Sequence, residues 1–107
     1  MLELTKENFK KEVLESDIPV IIDFHASWCG PCQMMGPVFE KISSEYEGKL
    51  KFAKLSTETE PELAEEYQIR SIPCLKVFNK GKEVEEIIGF KPEAELKTEI
   101  ENVLGKL

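Results

Sequence analysis

Three cysteines, one histidine, one tryptophan and a single arginine, Arg70, are all that 107 residues hold of those four types. Three cysteines are too few for a disulfide scaffold, and a chain of this length builds one hydrophobic core without staples. Residues 1–15, MLELTKENFKKEVLE, offer neither a basic start followed by an apolar run nor a stretch long enough to cross a bilayer. A secretory signal and a membrane span are therefore not expected, and a cytoplasmic protein is. No nucleotide, flavin or phosphate loop is visible, so no cofactor is expected. Lysine and arginine together number 14 against 21 aspartates and glutamates, a formal charge of -7. That leaves no basic patch to meet nucleic-acid phosphates. Repeats, linkers and low-complexity stretches are also missing, so residues 1–107 read as one domain.

What is present is concentrated. His25, Trp28, Cys29 and Cys32, four of the five histidine, tryptophan and cysteine residues, fall between positions 25 and 32. Around them the chain alternates between two periodicities. Thr5 caps a predicted helix over 6–16 with Phe9, Val13 and Leu14 on one face. The run PVIIDF, 19–24, predicts a strand buried on both sides. Met35, Val38, Phe39, Ile42 and Tyr46 recur at helical spacing from about Cys32, with Pro37 expected to kink the helix after its first turn. KFAKL, 51–55, predicts a short strand, and Pro61 opens a brief helix with Leu63, Ala64 and Tyr67. CLKVFN and KEVEEII flank Lys80-Gly81 as a hairpin. Pro92 starts a last helix with a stripe of Leu96, Ile100, Val103 and Leu104. The order, β-α-β-α-β-α-β-β-α with no bounds assigned to the first strand, predicts an α/β fold: a central mixed β-sheet flanked by helices on both faces.

The stretch WCGPC, 28–32, admits three readings: a metal grip, a structural staple or a redox couple. Cytosolic thiols stay reduced, so a close pair there is catalytic or metal-binding more often than a permanent bridge. A C-x-x-C turn at the start of a helix brings two sulfurs together without backbone rearrangement. It also sets the first sulfur at the positive end of the helix dipole, where a thiolate is stabilised. Pro31 stiffens the turn, and Gly30 leaves Cys29 open to a protein-sized partner. Asp23, inside VIIDF and six residues before Cys29, is costly to bury ionised and should have a raised pKa. If the strand runs straight into the turn, Asp23 lies beneath it and exchanges protons with Cys32 through water. The competing reading puts Asp23 in solvent at a sheet edge.

At these residues the sequence closely resembles the thioredoxin family. The likeness runs in order through VIIDFHASWCGPC, Pro37, KFAKL with Lys54, YQIRSIPC with Pro73, FNKGK, and Ile88-Gly89 before the last helix. It implies the thioredoxin fold and a thiol-disulfide oxidoreductase that reduces protein disulfides through Cys29 and Cys32 and is recharged by a separate reductase. It further implies that Cys29 attacks, Cys32 resolves, Asp23 accepts the proton and Lys54 supplies a counter-charge. Pro73 would be cis, with the Ile72 backbone pairing to the substrate chain. Trp28, Gly30, Pro31, Ile72, Pro73, Gly89 and Phe90 would form an apolar contact surface. The implied partners are disulfide-containing proteins and a thioredoxin reductase, met by a monomer.

Three positions depart from the family pattern. His25 stands where a second tryptophan is usual, two residues after Asp23 and so on the same strand face, where coupling to Asp23 would alter the pH dependence of proton transfer. The plainer reading is a ring that fills space. Gln33 follows Cys32 where lysine is frequent, which removes a charge at modest expected effect. Cys74 replaces a common threonine. It reads as a small buried thiol packed like an apolar residue, or else as an alternative disulfide partner for Cys29 or Cys32. Three other functions compete with reduction: an oxidant or isomerase of the same fold, a Cys3His metal module of Cys29, Cys32, Cys74 and His25, and a redox-silent subunit or chaperone surface around Trp28. The ligand spacing argues against the second, and no metal is expected.

Overall fold

The computed structural model describes residues 1–107. Five strands, β1 (Leu2–Glu3), β2 (Val20–His25), β3 (Lys51–Ser56), β4 (Cys74–Asn79) and β5 (Lys82–Ile88), form one sheet in the order β1-β3-β2-β4-β5. β3 pairs in parallel with both β1 and β2, whereas β4 runs antiparallel to β2 and β5. The sheet is mixed, as the element order predicts. β2 is its centre, which explains the near-continuous apolar run: Val20, Ile21, Ile22 and Phe24 are all fully buried, a strand covered on both faces.

Strand alternation divides the core in two. Ile21, Leu75 and Val77 face α1 (Gly30–Ser43) and α3 (Glu93–Gly105), meeting Met35, Phe39, Ile42, Leu96 and Ile100. Val20, Ile22, Phe24, Leu55 and Phe78 face the other way, onto Leu4, Phe9, Val13 and Leu63 of α2 (Pro61–Glu66). Emptying either side is expensive, because truncating a buried phenylalanine to alanine costs about 3–5 kcal/mol.

The predicted first helix is shorter and wider than its pattern. Thr5 and Asn8 cap it reciprocally, the Thr5 N–H donating to Asn8 Oδ1 at 2.8 Å and the Asn8 N–H to Thr5 Oγ1 at 3.3 Å. It then widens over Lys10–Leu14, where the Glu15 N–H reaches back to the Lys10 carbonyl at 2.9 Å. Helix α1 begins at Gly30, two residues before the predicted start, and continues through Pro37. The hairpin turns at Lys80 and Gly81, both at positive φ (53° and 81°). This is the two-residue turn that suits the twist of flanking strands.

Candidate active site

The site forms where the C-terminal end of β2 meets the N-terminus of α1 and the segment leading into β4. Because β4 runs antiparallel to β2, its first residues return to the end of the sheet where β2 finishes, with Phe24 opposite Cys74. Cys29 caps α1: its Sγ accepts the Cys32 N–H at 3.2 Å. Cys29 and Cys32 are joined as a disulfide, their Cα atoms 5.2 Å apart. The Ile72–Pro73 peptide is cis, as the family likeness implies, and the Ile72 carbonyl oxygen lies 3.8 Å from Cys29 Sγ. Gly89 closes the far side, its N–H donating to the Pro73 carbonyl at 2.9 Å from a φ of 91° that disfavours any side chain.

The two cysteines are not distinguished by exposure, since Cys29 is 4% and Cys32 5% accessible in the bridged form. Cys29, expected to lie open beside Gly30, and Cys32 therefore differ in their surroundings and not in exposure. Cys29 borders Ile72. Cys32 opens into a cavity of about 330 Å³ lined also by Asp23, His25, Ala26, Ser27, Gln33, Gly36 and Lys54.

Asp23 is 2% accessible on the central strand, so the solvent-edge reading fails. Burial pushes its carboxyl up to about 7, against the lowering pull of Lys54. Its Oδ1 has no hydrogen-bond partner. Lys54 stands beside Asp23 in the β2–β3 register and lines the same cavity.

His25 does share the face and the cavity of Asp23. Burial lowers its pKa; Glu3 and Glu58 pull it upward and Lys54 downward. Its charged neighbours are therefore Glu3, whose Oε2 lies 3.9 Å from Nε2, with Lys54 and Glu58. No hydrogen bond joins His25 to Asp23: Asp23 Oδ1 and His25 Nε2 are each without a hydrogen-bond partner.

Cys74 is free and buried. Standing opposite Phe24, it faces the α2 side of the sheet, away from α1. Burial, with Glu86 nearby, pushes its thiol up to about 12. This geometry fits the packed-thiol reading. It also separates Cys74 from Cys29 and Cys32, so the Cys3His set is not assembled.

Around the disulfide, Trp28 is 72% accessible and Gly30 and Pro31 are exposed. Phe90 is different: it leans on the α1/α3 core as a half-buried residue instead of standing at the rim. Three neighbours, and a buried lysine on the opposite face of the sheet, escaped the sequence reading. Met34, 59% exposed, follows Gly30 by one turn of α1 and extends the apolar rim. Ser27 and Glu58 hold the loop before Cys29, the Ser27 N–H donating to Glu58 Oε1 at 2.6 Å. Lys76 is only 3% accessible, with its ammonium 2.7 Å from Glu83 and 2.9 Å from Glu86. The i, i+4 spacing of Gly30 and Met34 was a usable signal for the first; the other contacts join separate elements and leave no local pattern.

An α/β sheet that presents a dithiol/disulfide pair at a helix N-terminus, above a buried carboxyl of raised pKa, is the framework of a redox protein working by thiol exchange. The family model for thioredoxin matches residues 1–102. Thioredoxin 1 of Nostoc sp. is 45% identical over 102 residues, 95% of each chain. The chloroplastic M-type thioredoxin of Chlamydomonas reinhardtii is 49% identical over 99 residues, 92% of this chain and 71% of the relative. A bifunctional thioredoxin reductase/thioredoxin of Mycobacterium leprae is 43% identical over 106 residues, 99% of this chain and 23% of the relative. The chain belongs to the thioredoxin family, and it is a dithiol–disulfide oxidoreductase, a thioredoxin-type protein-disulfide reductase. No helix is long and apolar enough to cross a membrane.

Proposed function

We propose that residues 1–107 act as a single-domain, monomeric, cytoplasmic electron carrier that reduces disulfides in target proteins, with each site residue in a defined role. In the reduced form, Cys29 attacks one sulfur of a target disulfide as a thiolate. A mixed disulfide forms, and the target's other sulfur leaves as a thiolate and is protonated. Asp23 takes the proton of Cys32 through water in the shared cavity. Cys32 then attacks Cys29 Sγ, the second target thiol leaves, and two electrons have passed to the target. A separate reductase returns two electrons and two protons, and the Mycobacterium leprae relative, whose name joins the two activities, supports such a partner.

The observation that carries this reading is the shared cavity: Cys32, and not Cys29, lines it with Asp23, whose pKa is about 7. A base poised near ambient pH is the most useful one. Lys54 tempers its charge. Trp28, Gly30, Pro31, Ile72 and Gly89 form the docking rim, with buried Pro73 and half-buried Phe90 supporting it from beneath, and the Ile72 backbone receives the extended target.

The test is reduction of insulin by the chemically reduced protein, paired with a redox titration of the couple. Wild type should reduce insulin, and Cys29→Ser should lose at least about a thousandfold in rate. Cys32→Ser should accumulate a covalent target adduct through Cys29. A strongly oxidising potential, or an adduct formed through Cys32, would overturn the assignment.

A further inference from the structure

Between His25, the last residue of β2, and Gly30, the first of α1, the chain must turn and present Trp28 and Cys29. Backbone bonds do little to hold it there: the Cys29 N–H reaches the Ala26 carbonyl at 3.3 Å. Two side chains from elsewhere grip the Ser27 residue at both ends. The Glu58 carboxylate, from the loop between β3 and α2, accepts the Ser27 N–H at 2.6 Å. The Gln33 amide, from the first turn of α1, donates through Nε2 to the Ser27 carbonyl at 2.8 Å.

The Glu58 loop is itself anchored. Thr57 donates its N–H and its hydroxyl to the His25 carbonyl at 2.8 and 3.1 Å, and the Ser56 hydroxyl oxygen accepts the Glu58 N–H at 3.3 Å. The Glu58 carboxyl is held below the usual carboxylate range chiefly by its bond to Ser27, so the acceptor stays charged through neutral pH. A charged acceptor on a backbone N–H makes one of the stronger hydrogen bonds.

We propose that Gln33 and Glu58 are positioning residues that clamp the Ser27 backbone from both sides and so fix the approach of Trp28 and Cys29 to a protein target. This deepens the proposed reduction chemistry and rests on that reading. It also gives Gln33 a task that lysine would perform differently: a planar amide aims one N–H at a carbonyl, whereas an ammonium acts as a mobile point charge. Preorganising a docking loop lowers the ordering cost of binding, so the effect falls on target association more than on thiol chemistry.

The experiment uses the full-length protein with Glu58→Ala, Glu58→Gln and Gln33→Met. It reads kcat and KM for reduction of a protein disulfide, and acrylamide quenching of Trp28, the only tryptophan in the chain. Glu58→Ala and Gln33→Met should each lower kcat/KM about three- to tenfold, mainly through KM, as expected for one lost hydrogen bond. Both should alter Trp28 quenching, while Glu58→Gln, which keeps an acceptor oxygen but loses its charge, should fall between wild type and Glu58→Ala. Unchanged quenching and KM in Gln33→Met overturns the clamp, and so does Glu58→Gln falling as far as Glu58→Ala. Gln33 is exposed on α1, so its variant decides the matter even where Glu58→Ala fails to fold. Quenching reads the loop without any turnover, so it separates failure of the clamp from failure of the reductase reading.

Discussion

Lys54 stands beside Asp23 on the neighbouring strand, yet its ammonium goes to Glu40, 3.5 Å away, and not to the Asp23 carboxyl. The buried acid is thereby left with a distant counter-charge and an unpartnered oxygen. This is why desolvation dominates and the carboxyl rises to about 7. A direct pair would have pulled it the other way.

Asp23→Asn should stabilise the fold, and the gain should depend on pH. The folded-state pKa is raised, so the native protein binds the Asp23 proton more tightly than the unfolded chain. That favourable linkage is complete below the unfolded value near 4 and is lost as pH rises through about 7. Relative to wild type, Asp23→Asn should gain almost nothing at pH 3 and roughly 4 kcal/mol above pH 8. Urea unfolding across that range checks it, and the same variant should slow the resolving step.

Lys54→Met should raise the Asp23 pKa further, because it removes the charge that lowers it. Glu40→Gln should do the reverse by releasing the ammonium from its partner. Carbon-13 NMR titration of the Asp23 carboxyl reads both, and shifts of the same sign in the two variants would contradict the arrangement.

His25→Phe should leave the neutral and alkaline limb of the rate profile unchanged. The folded-state His25 pKa is lowered, so the ring is uncharged at neutral pH, and no hydrogen bond ties it to Asp23. The linkage sign is opposite to that of Asp23: the wild-type histidine costs stability as pH falls through its unfolded pKa near 6.5. The variant should therefore gain stability relative to wild type in acid, as thermal melts at pH 5 and pH 8 would reveal.

Trp28→Ala should raise KM for protein disulfides about 3- to 30-fold with little change in kcat, the scale of losing an aromatic docking contact. Steady-state kinetics with insulin supplies the measurement. Met34→Ala should act in the same sense and more weakly.

The sheet and its helices were legible because β2 is a near-continuous apolar run and α3 keeps an unmixed helical period, and because Pro61 and Lys80-Gly81 punctuate the chain at real boundaries. The wide turn at Lys10–Leu14 was not, since hydrogen bonds to the fifth preceding residue leave nearly the same apolar spacing as those to the fourth. In the site, Cys29, Cys32 and Asp23 announced themselves by residue type and context, whereas the cis peptide before Pro73 was accessible only through family likeness. Glu58 and Ser27 lie 31 positions apart, and no local pattern links a carboxylate to a distant N–H. Cys74 was ambiguous in sequence because strand register alone decides which face it takes. Lys76 shows the same ambiguity: an ammonium within CLKVFN reads as a surface residue until β5 supplies Glu83 and Glu86.

The antiparallel return of β4 separates the site into two parts with different dependence on the folded chain. The Cys29–Cys32 couple spans three positions and exists wherever the first turn of α1 does, while the Ile72 carbonyl that borders it arrives from 43 residues away. A partly opened molecule, with β4 detached but α1 still wound, would keep its electrons transferable and lose its means of choosing where they go. On the proposed docking role of Ile72, selectivity for protein targets should depend on global stability more than exchange with small disulfides does, and the two should diverge as denaturant is added.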